Sequence, residues 1–361
     1  MEHNVLEEEH AIYSGQIGTI KKLVIGLLIL FLLIFFMLDV ALGSIAIPFK
    51  EVVKIFFSQG SENEAWVYIV EKIRIPKALT AVLVGCGLSV SGLQMQTLFR
   101  NPLAGPSVLG ITAGASLGVA LIMLSAGSIT SLYTIQELGI SGSWLIIIAA
   151  TLGAALIMTI ILAISSSLKD NVIMLIVGVM IANITLSIIS IWQYFSAPDQ
   201  IKEYLLWTFG SLGGVTEHHL YVLLIAVLIG LLTSFASSKI LDALLLGENY
   251  ARSMGLTVNR ARILIICSTS ILAGSITAFC GPIGFIGIAV PHLARSLFNT
   301  SSHRILIPGC CLIGTALMLV CDIISQLPGS QTALPINIIT ALIGSPVVIW
   351  VIISRNNIRG F

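Results

Sequence analysis

From Ile263 to Pro291 the chain carries no charged side chain. That run exceeds the roughly 20 apolar residues needed to cross a hydrocarbon core of about 30 Å. It is broken by Cys280, Gly281 and Pro282, so it reads as two spans, 263–280 and 283–298, joined by a turn. Backbone amides in hydrocarbon must be satisfied within their own segment, so such runs fold as helices or closed barrels. Their length and their lack of strict alternation select helices. Other runs of the same kind place spans at 23–43, 78–99, 107–124, 144–168, 172–194, 218–238, 305–324 and 336–354. The expectation is an all-α polytopic membrane protein with ten transmembrane helices.

The polar intervals fix the rest. Residues 1–22 form a tail rich in acid, with Glu2, Glu7, Glu8 and Glu9 where a secretory leader would be basic, so the first span is expected to stay in the protein. Residues 44–77 are an amphipathic connector carrying Lys50, Lys54, Lys72, Arg74 and Lys77. With the N-terminus inside, twelve of the 18 Lys and Arg fall on the inner side, and five of the outer six lie in that connector. This bias puts both termini, including the 355–361 tail, in the cytoplasm. The 241–262 interval, LDALLLGENYARSMGLTVNRAR, is then cytoplasmic as well; Leu241, Leu244, Leu245, Glu248 and Ala251 share one side of a short helix, and Gly255 can end a second.

Charged residues are only 10% of the chain and the net charge is +1, which argues against nucleic acid. The six cysteines lie in or beside apolar runs with no spacing suited to zinc. No GK[ST] phosphate loop occurs, so the chain cannot cradle a nucleotide by that device. His292 has no second ligand near it and reads as capping a short helix together with Arg295; His218 and His219 read as a solvated surface. A span followed by a proline break and a glycine-rich short span occurs at 78–124 and again at 261–298, the pattern of an inverted repeat around a transport pathway.

Five segments carry a resemblance. RIPKALTAVLVGCGLSVSGLQMQTLFRNPLAGPSVLGITAGASLG, WTFGSL, LLLGENYARSMGL, GPIGFIGIAVPHLAR and LPINIITALIGSPVVIW, in that order, resemble the FecCD family of permease subunits of ABC importers for ferric siderophores, haem and cobalamin. The resemblance implies a type II ABC importer fold, a homodimer with the pathway on its axis, two cytoplasmic ATPase subunits and an outer substrate-binding protein. It assigns Leu246, Gly247, Glu248, Ala251, Gly255 and Leu256 to the loop that docks on the ATPase, and Arg74 and Lys77 to positions that can meet acids of the binding protein, the alternative for these two being a solvated connector. Asn101, Pro102, Pro106, Gly281, Pro282, Pro291, His292 and Arg295 match two further motifs, read as helix breaks beside the pathway. Gln94, Gln96, Asn183 and Gln193 are polar candidates within the pathway, with helix-to-helix hydrogen bonds as the alternative. Gln326 and Ala333 depart from the family, which often has Arg and Glu there.

The function so implied is translocation of a metal chelate, a ferric siderophore before haem or cobalamin, with no cofactor bound directly. An ion-coupled secondary transporter is the rival. It would need ionisable groups near the midplane, whereas Asp39 and Asp322 lie at span ends.

Overall fold

The computed structural model describes residues 23–43, 45–57, 61, 63–125, 142–165, 171–326 and 333–355. The expectations for the 1–22 tail and for the tail beyond Arg355 lie outside those residues. Among them the chain is helical, with α1 at Leu23–Ala41. After it come α2 (Phe49–Phe56), α3 (Glu64–Tyr68), a π-helical turn (Ile69–Arg74) and α4 (Ile75–Leu98). A 3-10 turn (Pro106–Leu109) leads to α5 (Ile111–Ser125), then α6 (Gly142–Ser165), α7 (Asn171–Phe195), α8 (Pro198–Thr208) and α9 (Glu217–Ala236). The remainder is α10 (Ser238–Leu246), α11 (Glu248–Ser253), α12 (Val258–Cys280), α13 (Ile286–Phe298), α14 (His303–Ser325) and α15 (Ile336–Arg355).

Seven of the described helices, α1, α4, α6, α7, α9, α12 and α14, are long and apolar enough to cross a membrane, and α5, α13 and α15 are shorter apolar helices. The all-helical, polytopic reading of the sequence holds.

Burial sorts these helices by place. α4, α12 and α14 are largely enclosed, whereas α1, α7 and α9 turn most of their apolar side chains outward, as helices in contact with hydrocarbon do. The enclosed helices approach one another through small residues, because a bundle in lipid gains its stability from close backbone packing rather than from expelling water. Gly85 of α4 lies against the Gly314 backbone of α14, and Gly92 of α4 against the Gly287 backbone of α13. Gly118 of α5 lies against the Ala149 backbone of α6.

Chain direction fixes the two ends of the bundle. α9 runs down to α10, α14 starts beside α10 and runs away from it, and α4 ends beside the start of α14. The starts of α4 and α9 and the end of α14 therefore lie at the end opposite α10 and α11.

Two element boundaries differ from the sequence reading. The charged connector does not stop at Lys77; helix continues without a break from Glu64 to Leu98, so Arg74 and Lys77 ride on the same rod as the apolar run. α12 begins at Val258, which puts Arg260 and Arg262 on its first turns rather than in the preceding loop.

Candidate coupling site and its attachment to the bundle

The interval between α9 and α12 is a helical elbow packed on the bundle and fastened to it by side chains. α10 buries Leu241, Ala243 and Leu244 against the bundle, and α11 buries Ala251. Between them Gly247 adopts φ +118° and ψ 154°, a conformation closed to side chains with a Cβ, so the corner requires glycine. Gly255, at φ +84°, makes the second corner, where its amide and that of Leu256 close back onto Arg252 and Ala251 at 2.9 and 3.0 Å.

Glu248, at the start of α11, accepts from the buried Arg262 of α12 at 3.0 Å and from Arg252 at 3.5 Å. Its carboxylate also suits the positive end of α11. Asp242 of α10 accepts from the His303 backbone amide at 2.8 Å and from His303 Nδ1 at 2.6 Å, and Nε2 of the same ring lies 2.8 Å from Thr97 Oγ1 of α4. The elbow is thus fastened to α12, α14 and α4.

Of the six residues that the resemblance assigned to this loop, Gly247 and Ala251 are buried, Glu248 and Leu256 are partly covered, and Leu246 and Gly255 are exposed. Most of them build the elbow. The apolar surface it offers is Leu246 at 63% exposure, Tyr250 at 49% and Met254 at 61%. Sequence reasoning missed Tyr250 and Met254, whose spacing of four puts them on one side of α11, while the Gly247 corner separates them from Leu246 at the end of α10.

A second cluster packs beside the elbow. The break at Asn101, Pro102 and Pro106 is held against α13: His292 Nε2 lies 2.8 Å from the Pro102 carbonyl, and the Pro106 ring touches Gly287. Arg295 donates to Gln96 Oε1 at 2.6 Å, while Gln96 Nε2 donates to the Ile288 carbonyl at 3.1 Å. His292 and Arg295 were expected to cap their own helix; they instead tie α13 to the break and to α4, because their side chains face the neighbouring helix. Pro291 lies buried inside α13. Gly281 and Pro282 are elsewhere, at the far end, where Gly281 meets the Trp207 and Gly210 backbones and Asn337 Oδ1 accepts from Gly284 at 3.0 Å.

Several pathway and docking expectations change. Gln94 is fully buried, donating to Ser268 at 3.1 Å and accepting from Thr269 at 2.9 Å. With Gln96 it serves as a link between helices, so neither lines an open path in this structure. Asn183 is exposed and Gln193 half-buried on α7, beside Ile184, Ile191 and Tyr194 on that helix's outward face. Arg74 is only 7% exposed and donates to the carbonyls of Val40, Ala41 and Ile45, closing the end of α1. Lys77 pairs with buried Asp322 at 3.0 Å, and Gln326 bridges Asp39 and Asp322. Neither cation faces outward for a partner, because both ride a continuous helix whose inner face meets α1 and α14. His219 is also buried, its ring 4.5 Å from that of Trp144, and only His218 is exposed.

The comparisons with known proteins agree with this architecture. The haemin transport system permease protein HmuU of Yersinia pestis is 32% identical over 339 residues, covering 94% of this chain and 97% of the relative. The vitamin B12 import system permease protein BtuC of Escherichia coli O6:H1 is 33% identical over 300 residues, covering 83% of this chain and 86% of the relative. A solved structure described as an inward-facing conformation of a proposed metal-chelate-type ABC transporter superposes with a TM-score of 0.78 at 25% identity, covering 92% of this chain and 99% of that one. The FecCD transport family model matches residues 30–354, and the chain belongs to that family, as a multi-pass permease subunit of an ABC importer.

Proposed function

We propose that the chain imports a metal chelate, a ferric siderophore before haem or cobalamin, as a homodimer served by two ATPase subunits and an outer binding protein. ATP is bound and hydrolysed by those partner subunits, and the permease supplies the path and binds no cofactor itself. Both termini and the α10–α11 elbow face the cytoplasm, in keeping with the charge bias of the loops. The observation that carries this reading is the elbow: exposed apolar side chains, Leu246, Tyr250 and Met254, on a multiply fastened support. Apolar side chains of that kind fit a groove on a partner, and nucleotide-driven closure of the partner would tilt the helices to which the elbow is tied.

The outer binding protein meets the end opposite the elbow. There Arg74 and Lys77 set the shape of the surface from within. Asn183 and Gln193, on the outward face of α7, are the polar candidates for the dimer pathway.

Replacing Tyr250 by aspartate places a charge among these side chains without disturbing the buried side of α11. ATPase association, measured by co-purification and titration, is expected to weaken at least about tenfold, a change of roughly 1.4 kcal/mol. Uptake of a ⁵⁵Fe(III)–hydroxamate chelate into vesicles should then fail with the permease still folded. Transport under an ion gradient with no ATPase present would overturn the reading.

Cutting the Glu248–Arg262 pair tests the elbow from its other side. Glu248→Ala leaves the buried Arg262 guanidinium without its carboxylate. Uptake should fall more than ATPase binding does, because the exposed apolar side chains are untouched.

A further inference from the structure

We infer that His303 is the positioning residue through which a movement of α10 reaches the α4–α14 pair, and thence the far end of the bundle. The inference rests on the coupling reading above and specifies the route. Along the chain, α10 and α11 lead only to α9 and α12. The route to α4 and α14 is non-covalent: α10 packs against both helices, and His303 is the side chain whose hydrogen bonds join all three.

His303 is the first residue of α14, where backbone amides have no partner within the helix. Ser302, next to it, makes no side-chain cap. Asp242, from α10, takes that place: its Oδ1 accepts the His303 amide at 2.8 Å and Nδ1 of the ring at 2.6 Å. A carboxylate at a helix start is also favoured by the helix dipole. The other ring nitrogen meets Thr97 Oγ1 at 2.8 Å, in the last turn of α4. The imidazole is fully buried, while the Asp242 side chain is 38% exposed, so the bridge runs from the surface of the elbow into the core.

What lies beyond the bridge is stiff. Gly85 and Gly314 bring the α4 and α14 backbones into contact, Ser89 Oγ donates to the Cys310 carbonyl at 2.8 Å, and the Cys86 thiol lies 3.1 Å from Thr315 Oγ1. Packed backbones with interhelical hydrogen bonds move as a unit rather than slide. At the other end of the same pair, Lys77 of α4 holds Asp322 of α14, and Gln326 reaches Asp39 of α1. A push on α10 is therefore delivered, through Asp242 and His303, to a strut whose far end also grips α1.

The test uses the permease assembled with its ATPase in lipid nanodiscs and two spin labels at exposed far-end positions, Tyr221 on α9 and Ile324 on α14. In the native background the distance between the labels should shift when ATP and vanadate trap the ATPase. His303→Ala should reduce the shift several-fold while ATPase association and ATP hydrolysis persist. His303→Asn, whose amide nitrogen takes the place of Nδ1 and can still donate to Asp242, should restore part of it. Thr97→Val is nearly isosteric and keeps the Asp242–His303 half of the bridge, so it should reduce the shift even if His303→Ala fails to fold. An unchanged shift in His303→Ala or Thr97→Val, with the ATPase bound, would overturn the inference alone. A Tyr250→Asp chain that keeps its ATPase would instead overturn the docking reading on which it rests.

Discussion

Gly92→Ala is expected to abolish assembly of the permease, an effect far larger than one methyl group ordinarily brings. A Cβ at residue 92 would overlap the Gly287 carbonyl, carbon and Cα, all of them backbone, where α4 crosses α13. No side-chain rotamer can relieve that overlap, so the helices must separate. The same crossing carries the Gln96 bond to Ile288 and the Arg295 bond to Gln96, which separation would stretch. Overpacking typically costs 1–3 kcal/mol and more where backbone must move, so about 3 kcal/mol or above is expected here. Against a total stability on the order of 5–15 kcal/mol, that loss leaves little folded protein. Size-exclusion chromatography in mild detergent should show the monodisperse peak replaced by aggregate. Gly26→Ala is the control: a Cβ there meets nothing within 4 Å, and alanine favours helix by about 1 kcal/mol, so that variant should match or exceed the parent. Equal behaviour of the two would mean that α4 and α13 do not cross as closely as described.

The difference between those two glycines shows what the sequence could and could not tell. Uncharged runs announce spans because hydrocarbon excludes charge, and recurring charge marks the interval between α9 and α12 because such residues must sit in water. Both inferences need only local sequence. Partner choice needs the fold. Gln96 looks alike whether it lines a channel or holds Arg295, 199 residues away, and Gln326 gives no sign that it reaches Asp39 across 287 residues. In lipid a polar side chain gains as much from a neighbouring helix as from a wet pathway, so residue type alone cannot choose.

Helical phase explains a second group. Arg260 and Arg262 are two positions apart on α12, hence on opposite faces; the first is exposed and the second is buried against Glu248. Reading both as loop residues concealed an ion pair that fixes the elbow. Arg74 was misplaced for a similar reason. The resemblance put it where it can meet acids of a binding protein, but helix runs straight through it, and its phase points the guanidinium at the open carbonyls that end α1.

Asp322→Asn should destabilise the permease strongly and Asp39→Asn should not, although both acids are buried at the same end of the bundle. The asymmetry follows from their donors. Asp322 accepts from Lys77 at 3.0 Å, from Gln326 at 3.1 Å and from Ser325 at 3.4 Å, whereas the donor found for Asp39 is Gln326 at 2.9 Å. Removing the charge at 322 strands the Lys77 ammonium, four-fifths covered, beside a neutral amide. Breaking a buried pair in this way costs about 3–5 kcal/mol, reduced to roughly 2–4 kcal/mol by the access of Lys77 to solvent. At 39 no ion pair is broken. The bridging Gln326 nitrogen puts the accepting oxygens of Asp39 and Asp322 at most about 6 Å apart, so the two carboxyl groups share one site in which charging both is disfavoured. Asparagine at 39 still accepts the Gln326 hydrogen bond through its carbonyl oxygen and leaves the Lys77–Asp322 pair intact, so stability should hold. Thermal unfolding in detergent, followed by loss of the folded elution peak, compares the two directly. Lys77→Met combined with Asp322→Asn should recover much of what the single change loses, because neither half of the pair is then left charged and alone. If Asp39→Asn proved as damaging as Asp322→Asn, the negative charge on Asp39 would be needed opposite Arg74 or Lys77, and the donor count would not be what holds α1 to the strut.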